Sequence, residues 1–190
     1  MMKSTKNALV RPQDEAEPRE QSLIEVMDRF NRPLASLPLG EVHRQRLAHR
    51  TALVLLFNQD NKLYLQKRSR SKRVYPGRWD VSARVHVLSG EATLDAAVRA
   101  LRDELGLRME RLRLVRQVPP GPEIGSGWTS VYSTGRVPQV PKPAPEEVEE
   151  GYWYGGDELA CLVREFRELM TPGLLHLVEL GLPFPTWDHI

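Results

Sequence analysis

Cysteine occurs once in the 190 residues, at Cys161. A single thiol can neither close a disulfide within the chain nor build a cysteine-ligated metal site, which suits a reducing compartment, so a cytoplasmic protein is expected. An excess of charge of one sign is also lacking. Lys+Arg 27 against Asp+Glu 25 leaves +2, too little for a global field that would gather nucleic acid, so no nucleic-acid partner is expected and any anion site has to be local. No apolar run approaches the roughly 18 residues of a membrane span, and the opening MMKSTKNALVRPQDEAEPREQ has no apolar stretch long enough for a signal peptide, so no membrane partner is expected either. Residues 1–21 read as a flexible N-terminal tail, because so polar a segment cannot bury enough apolar surface to offset its ordering entropy. Residues 22–190 read as one domain, for which 41% hydrophobic content supplies a core.

Along the domain, Leu23 to Met27 and Leu34 to Leu37 flank the turn residues Phe30-Asn31-Arg32-Pro33 and predict a hairpin. Thr51 to Phe57 (TALVLLF) is a strand apolar on both faces. Gln59-Asp60-Asn61 is a polar turn, and Lys62 to Gln66 alternates, so a second hairpin is expected there. Asp80 to Leu88 reads as extended. The clearest helix runs over Ala92 to Leu105, with Leu94, Ala97, Val98, Leu101 and Leu105 as its apolar stripe and Gly106 as a left-handed cap. Strands follow at Leu112 to Val118 and Trp128 to Val137, joined by the Pro/Gly-rich PPGPEIGSG, a lid or binding rim by composition. After VPQVPKPAP come a strand over Val148 to Tyr154, a helix over Asp157 to Met170, and a last helix opened by Thr171-Pro172 as N-cap and first-turn proline. Cys161 is expected to be a buried small hydrophobe among Leu159, Leu162 and Phe166. Strands, one helix, strands and then helices predict an α+β fold with a mixed sheet.

The stretch that carries chemistry is Val85 to Leu107, VHVLSGEATLDAAVRALRDELGL. This stretch resembles the Nudix box, whose acidic positions lie three and four apart on a helix and so share one face that can hold Mg²⁺ against a diphosphate. That face is Ala100, Asp103 and Glu104, and Arg99 is placed to brace Asp103 as an i,i+4 pair. The spacing resembles the Nudix box through Glu91, Arg99, Leu101, Asp103 (Asp for Glu), Glu104, Gly106 and Leu107. Val85 stands where the box has its first glycine and Ala100 where it has the glutamate after the arginine, so two of three helix carboxylates remain.

Two further segments resemble the branch of that superfamily containing isopentenyl diphosphate isomerase. Upstream these are Lys67-Arg68, Lys72 and Pro76-Gly77-Arg78-Trp79; downstream, Glu146, Glu147, Val148, Glu150 and Trp153. The resemblance covers about Leu23 to Leu180 and implies a Nudix fold, a mixed β-sheet sandwiched between α-helices. It also implies a Mg²⁺- or Mn²⁺-dependent hydrolase acting on a small-molecule diphosphate, in a superfamily where homodimers are usual. Arg68 and Lys72 are the expected diphosphate binders, one a fork of donors and the other a point charge. Glu104, Asp103 and Glu147 are the expected metal ligands, with Glu147 recruited from outside the box as ligand or general base, and Arg99 completes the catalytic set. His43, His49 and His86 stand near the histidines of a second metal site in the isomerase. Histidines on extended segments more often serve as hydrogen-bonded fillers, and GSGWTS lacks the Glu-x-Glu of that site. The isomerase reaction needs a cysteine, but WDVSARVH offers Val81, Ser82 and Ala83 there, and Pro172-Gly173 lacks the tryptophan that shields a carbocation. A hydrolase slowed by Ala100 and Val85 is therefore the leading expectation, and a diphosphate-binding module without catalysis is the alternative.

Overall fold

The structure is a computed structural model that describes residues 20–122 and 124–184. Of the expected tail only Glu20 and Gln21 fall within these residues, and the Glu20 carbonyl accepts the Gly40 N–H at 2.9 Å. The first hairpin is present as β1 (Leu23–Met27) and β2 (Pro33–Pro38), followed by a short helix α1 (Leu39–Arg44).

Strand β3 (His49–Phe57) organises the sheet. It runs parallel to β8 (Gly127–Arg136) and antiparallel to β6 (Ala83–His86). With both neighbours occupied over most of its length, β3 meets β4 (Leu63–Arg68) only at Phe57↔Leu63. The expected second hairpin therefore splays apart after its turn. β4 pairs instead with β9 (Val148–Tyr154) along its length and with the two-residue β5 (Trp79–Asp80) at its end. Gly151 is obligatory in that pairing, because a Cβ there would overlap the Tyr64 ring. β7 (Arg113–Val118) completes the mixed sheet on the outer side of β8.

Helices cover both faces, as the apolar run of β3 requires. Ala52, Val54 and Leu56 point to one face, under α2 (Thr93–Leu105). Leu53, Leu55 and Phe57 point to the other, under α3 (Gly156–Glu165) and α4 (Pro172–Glu179). Thr171 caps α4 by accepting the Leu174 N–H, and the expected single helix to Met170 stops at Glu165, giving way to a 3₁₀ turn at Arg167–Leu169.

Helix α2 buries the expected Ala97, Leu101 and Leu105 but departs from expectation at Leu94. Its packed side is Ala96, Ala97, Ala100, Leu101, Glu104 and Leu105, whereas Leu94 is 38% exposed. The alanines let the helix lie close against Ala52, Ala83 and Val85, and the larger Leu94 in the first turn stays outside that contact. At the other end Gly106 takes φ 63°, and the Pro-rich link 137–145 donates Lys142 N–H to Leu105 O and Ala144 N–H to Glu104 O, satisfying two terminal carbonyls. No helix among the described residues is long and apolar enough to cross a membrane.

Candidate active site

β4 ends at Arg68, and the chain then loops over the sheet edge before returning as β5. Arg68 Nε donates to the Val74 carbonyl at 3.0 Å and Nη1 to Asp80 Oδ2 at 3.4 Å. Lys72 forms an ion pair with Glu147 in which both side chains are only 8% exposed. Arg70 belongs to the same basic stretch but is 79% exposed and reaches Glu149. The backbone thus sorts one run of cations into two classes. Arg68 and Lys72 turn into a cavity of about 430 Å³ that Glu147, His43 and His86 also line, while Arg70 faces solvent.

Glu104 lies outside the lining of that cavity. It is buried, with Oε2 accepting from Gln66 Nε2 at 2.7 Å and Oε1 from the Arg84 backbone N–H at 3.0 Å. Burial, with a smaller push from the nearby Glu147 charge, raises its carboxyl to about 8 against the opposing Gln66, Arg84 N–H and Lys72. Asp103 is bound by its neighbour Arg102 at 2.6 Å. The brace expected from Arg99 to Asp103 is not formed. Arg99 instead grips both oxygens of Glu91 at 2.8 Å and donates to His86 O at 3.0 Å. Glu91 wins because it offers a bidentate match to the guanidinium and is itself fixed by the Leu88 N–H. The pair ties the loop before α2 to the helix. Ala100 is buried in the apolar cluster beneath α2 and lines neither of the cavities described here. Cys161 is exposed rather than buried, since α3 turns Leu159 and Val163 inward one turn apart.

The side chains that come closest to a metal centre among the described residues are His43, His49 and His86, whose ligand atoms all lie within 4.8 Å of one another. They converge from α1, the start of β3 and the end of β6. His49 Nδ1 sits 2.9 Å from Leu47 O, which leaves Nε2 for the cluster. His86 Nδ1 is buried with no hydrogen-bond partner. Burial first, and then the neighbouring His49, His43, Arg84 and Arg68, holds His86 well below the ordinary histidine range. Burial also lowers His49. Converging ring nitrogens, two of the rings disfavoured as cations by burial and one with an orphaned nitrogen, suit a borderline divalent cation such as Zn²⁺, with the harder Mn²⁺ as an alternative. The filler role expected from sequence describes His49 but not His86.

Two residues that sequence reasoning passed over belong to the site. Asp80 is buried under Arg68 and also accepts from Thr171 Oγ1 at 2.8 Å; no spacing marks it. Arg84 projects into a second cavity of about 400 Å³ that shares Arg68, Arg73, Val74, His43 and His86 with the first. Its signal was the alternation on β6, where Ala83 and Val85 are buried and Arg84 and His86 fall on the opposite face. The PPGPEIGSG loop forms a wall of this cavity through Pro122, Ile124 and Gly125 to Gly127, the rim its composition suggested.

Comparison with known proteins agrees with this architecture. Over 91 residues the chain is 45% identical to an uncharacterized Nudix hydrolase of Pseudomonas aeruginosa, a stretch that covers 48% of this chain and 54% of that protein's length. It is 33% identical over 140 residues to an isopentenyl-diphosphate Delta-isomerase of Cereibacter sphaeroides, covering 70% of this chain and 78% of the relative. In fold it is similar to the crystal structure of DR0079 from Deinococcus radiodurans, with TM-score 0.72 and 23% identity, over 83% of this chain and 98% of that one. The model of the NUDIX domain matches residues 47–172, which span β3 through the start of α4 and hold nearly every residue of the site, and the chain accordingly belongs to the Nudix family.

Proposed function

We propose that the protein hydrolyses a phosphoanhydride in a small-molecule diphosphate with the help of a divalent cation. The observation that carries this reading is the cavity wall in which Arg68 and Lys72, both largely shielded from water, stand beside Glu147 and the histidines. Two cations held by a rigid strand end and its loop fit a diphosphate, and in a partly desolvated wall their attraction for it is stronger than on an open surface.

The cation supplies charge neutralisation on the phosphates and lowers the pKa of a bound water. Its nitrogen donors would be His43, His49 and His86, a set that suits Zn²⁺ and can also take Mn²⁺. Oxygen donors suited to Mg²⁺ would be Glu104 and Glu147, with Asp103 as the sequence neighbour of Glu104 on α2. Glu104 fits that role through its chemistry: a buried carboxyl pushed up to about 8 beside a second carboxylate is a proton site that a divalent ion can replace. In this chain Lys72 neutralises Glu147, and a diphosphate that attracts Lys72 releases that carboxylate.

A binding module without turnover is the second reading, favoured by one observation. Ala100 is packed in the core and Asp103 is tied to Arg102, so the helix carboxylates are not assembled into a cluster as the histidines are. Isomerisation, the activity named for a relative 33% identical to this chain, is disfavoured by the site itself, because Val81, Ser82 and Ala83 are fully buried and Ser82 Oγ is spent on Tyr64 O and Leu56 N–H. The test is release of phosphate or pyrophosphate across a panel of nucleoside and non-nucleoside diphosphates with Mg²⁺ or Mn²⁺. Arg68→Gln and Lys72→Gln should each weaken the best substrate at least tenfold and Arg70→Gln less than twofold. Equal effects at all three positions would reduce the stretch to a diffuse basic surface. Tight binding with no product would select the binding module.

A further inference from the structure

The second cavity contains a cation that the diphosphate reading does not use. Arg84 is half-buried on β6, and its guanidinium has no hydrogen bond or ion pair among the described residues. The single acidic side chain lining that cavity among the described residues, Asp80, is already engaged by Arg68, Thr171 and the Val81 N–H. Across the cavity α4 begins with Pro172-Gly173, and a Cβ on Gly173 would stand 3.0 Å from Arg84 Nη1. The glycine is therefore the space the guanidinium occupies. Arg46, exposed at the rim, adds charge of the same sign.

A guanidinium that has left part of its water shell without gaining a partner is unfavourable unless something anionic completes it. A hydrocarbon group placed here would strip more water from Arg84 and return nothing. An oxyanion would accept the fork of donors. Because this cavity shares Arg68 with the diphosphate cavity, one ligand can reach both.

We propose that the second cavity binds a further oxyanion of the same ligand, a phosphate or carboxylate carried by the group attached to the diphosphate, with Arg84 as its anchor and Gly173 as the gap that seats the Arg84 guanidinium. This rests on the reading of Arg68 and Lys72 as the diphosphate site, and it narrows the substrate class to diphosphates with an acidic far end.

The experiment is titration calorimetry on the full chain with four probes. Inorganic pyrophosphate reports the diphosphate site alone. Isopentenyl diphosphate adds an uncharged hydrocarbon end, mevalonate 5-diphosphate a carboxylate end, and 5-phosphoribosyl 1-diphosphate a phosphate end. The wild type is expected to bind at least one acid-ended probe tenfold or more tighter than isopentenyl diphosphate, and whichever it prefers identifies carboxylate or phosphate. Arg84→Gln should bring that ratio to within about twofold of unity. Gly173→Ala should lower it several-fold, since its methyl displaces only the tip of a flexible side chain and leaves the fold intact. A wild-type ratio near one, or a high ratio that survives Arg84→Gln, overturns the proposal while leaving the diphosphate site in place. Pyrophosphate binding that is absent, or indifferent to Arg68→Gln, overturns the diphosphate reading itself, and this proposal with it.

Discussion

Glu104→Gln offers a sharp test of the buried carboxyl beneath the site. In the unfolded chain Glu104 loses its proton near 4.5, whereas burial in the folded protein delays ionisation until about 8. Between these values the folded state binds the extra proton, so stability falls as pH rises, by up to about 1.4 kcal/mol per pH unit from this one group. The full contribution is present below about pH 4.5 and is lost once pH passes about 8. Taken over the whole window, that is on the order of 5 kcal/mol, a large share of the stability of an ordinary domain. Glutamine keeps the shape and an oxygen for the Arg84 N–H. Its amide can be met by the Gln66 side chain, whose buried Oε1 has no partner now. Urea unfolding of wild type and variant, in chelator from pH 5 to 9, reads the difference between the two, so that titrations common to both cancel. The variant should be close to wild type at pH 5 and more stable by several kcal/mol at pH 9. A difference that stays constant across the range would refute the burial argument. Added Mg²⁺ should stabilise wild type at pH 8 and leave the variant unchanged if Glu104 is an oxygen donor to the ion.

Ala100→Glu, which the sequence pattern suggests as a repair of the box, should instead place a carboxylate in the apolar cluster of Ala52, Val54 and Val85. It should cost at least about 2 kcal/mol in urea unfolding with no gain in metal-dependent turnover; faster hydrolysis at undiminished stability would return position 100 to the metal site. Lys72→Met removes the ion-pair partner of Glu147 in a wall where its side chain is 8% exposed and should cost about 3 kcal/mol, most of it recovered when Glu147→Gln is added. A single-variant cost under about 0.5 kcal/mol would mean that the pair is solvated. Mn²⁺ at a hundredfold excess over its dissociation constant should stabilise wild type by roughly 2.7 kcal/mol and His86→Ala far less; an equal response, or an anomalous signal away from the three rings, would remove the histidines from the metal assignment.

Local chemistry determined much of this protein before any contact was known. The doubly apolar TALVLLF marked a strand buried on both faces, Gly106 the end of the helix before it, and Thr171-Pro172 the cap of the last helix. The family pattern at Arg68, Lys72 and Pro76 to Trp79 survives in sequence because strand end, loop and return are contiguous. What the sequence could not determine is which partner each charged side chain takes. Helical spacing offered Asp103 to Arg99, but Glu91 lies as near once the loop before α2 folds back, and it satisfies both oxygens. The box pattern also placed Ala100 and Glu104 on a metal-binding face, whereas the close approach of an alanine-lined helix to β6 buried both. His43, His49 and His86 are scattered over three elements, and Arg84 and Gly173 are 89 positions apart. Such residues meet only through the pairing of β3 with β6 and the docking of α4 at the sheet edge, long-range contacts that leave no periodic trace in the chain.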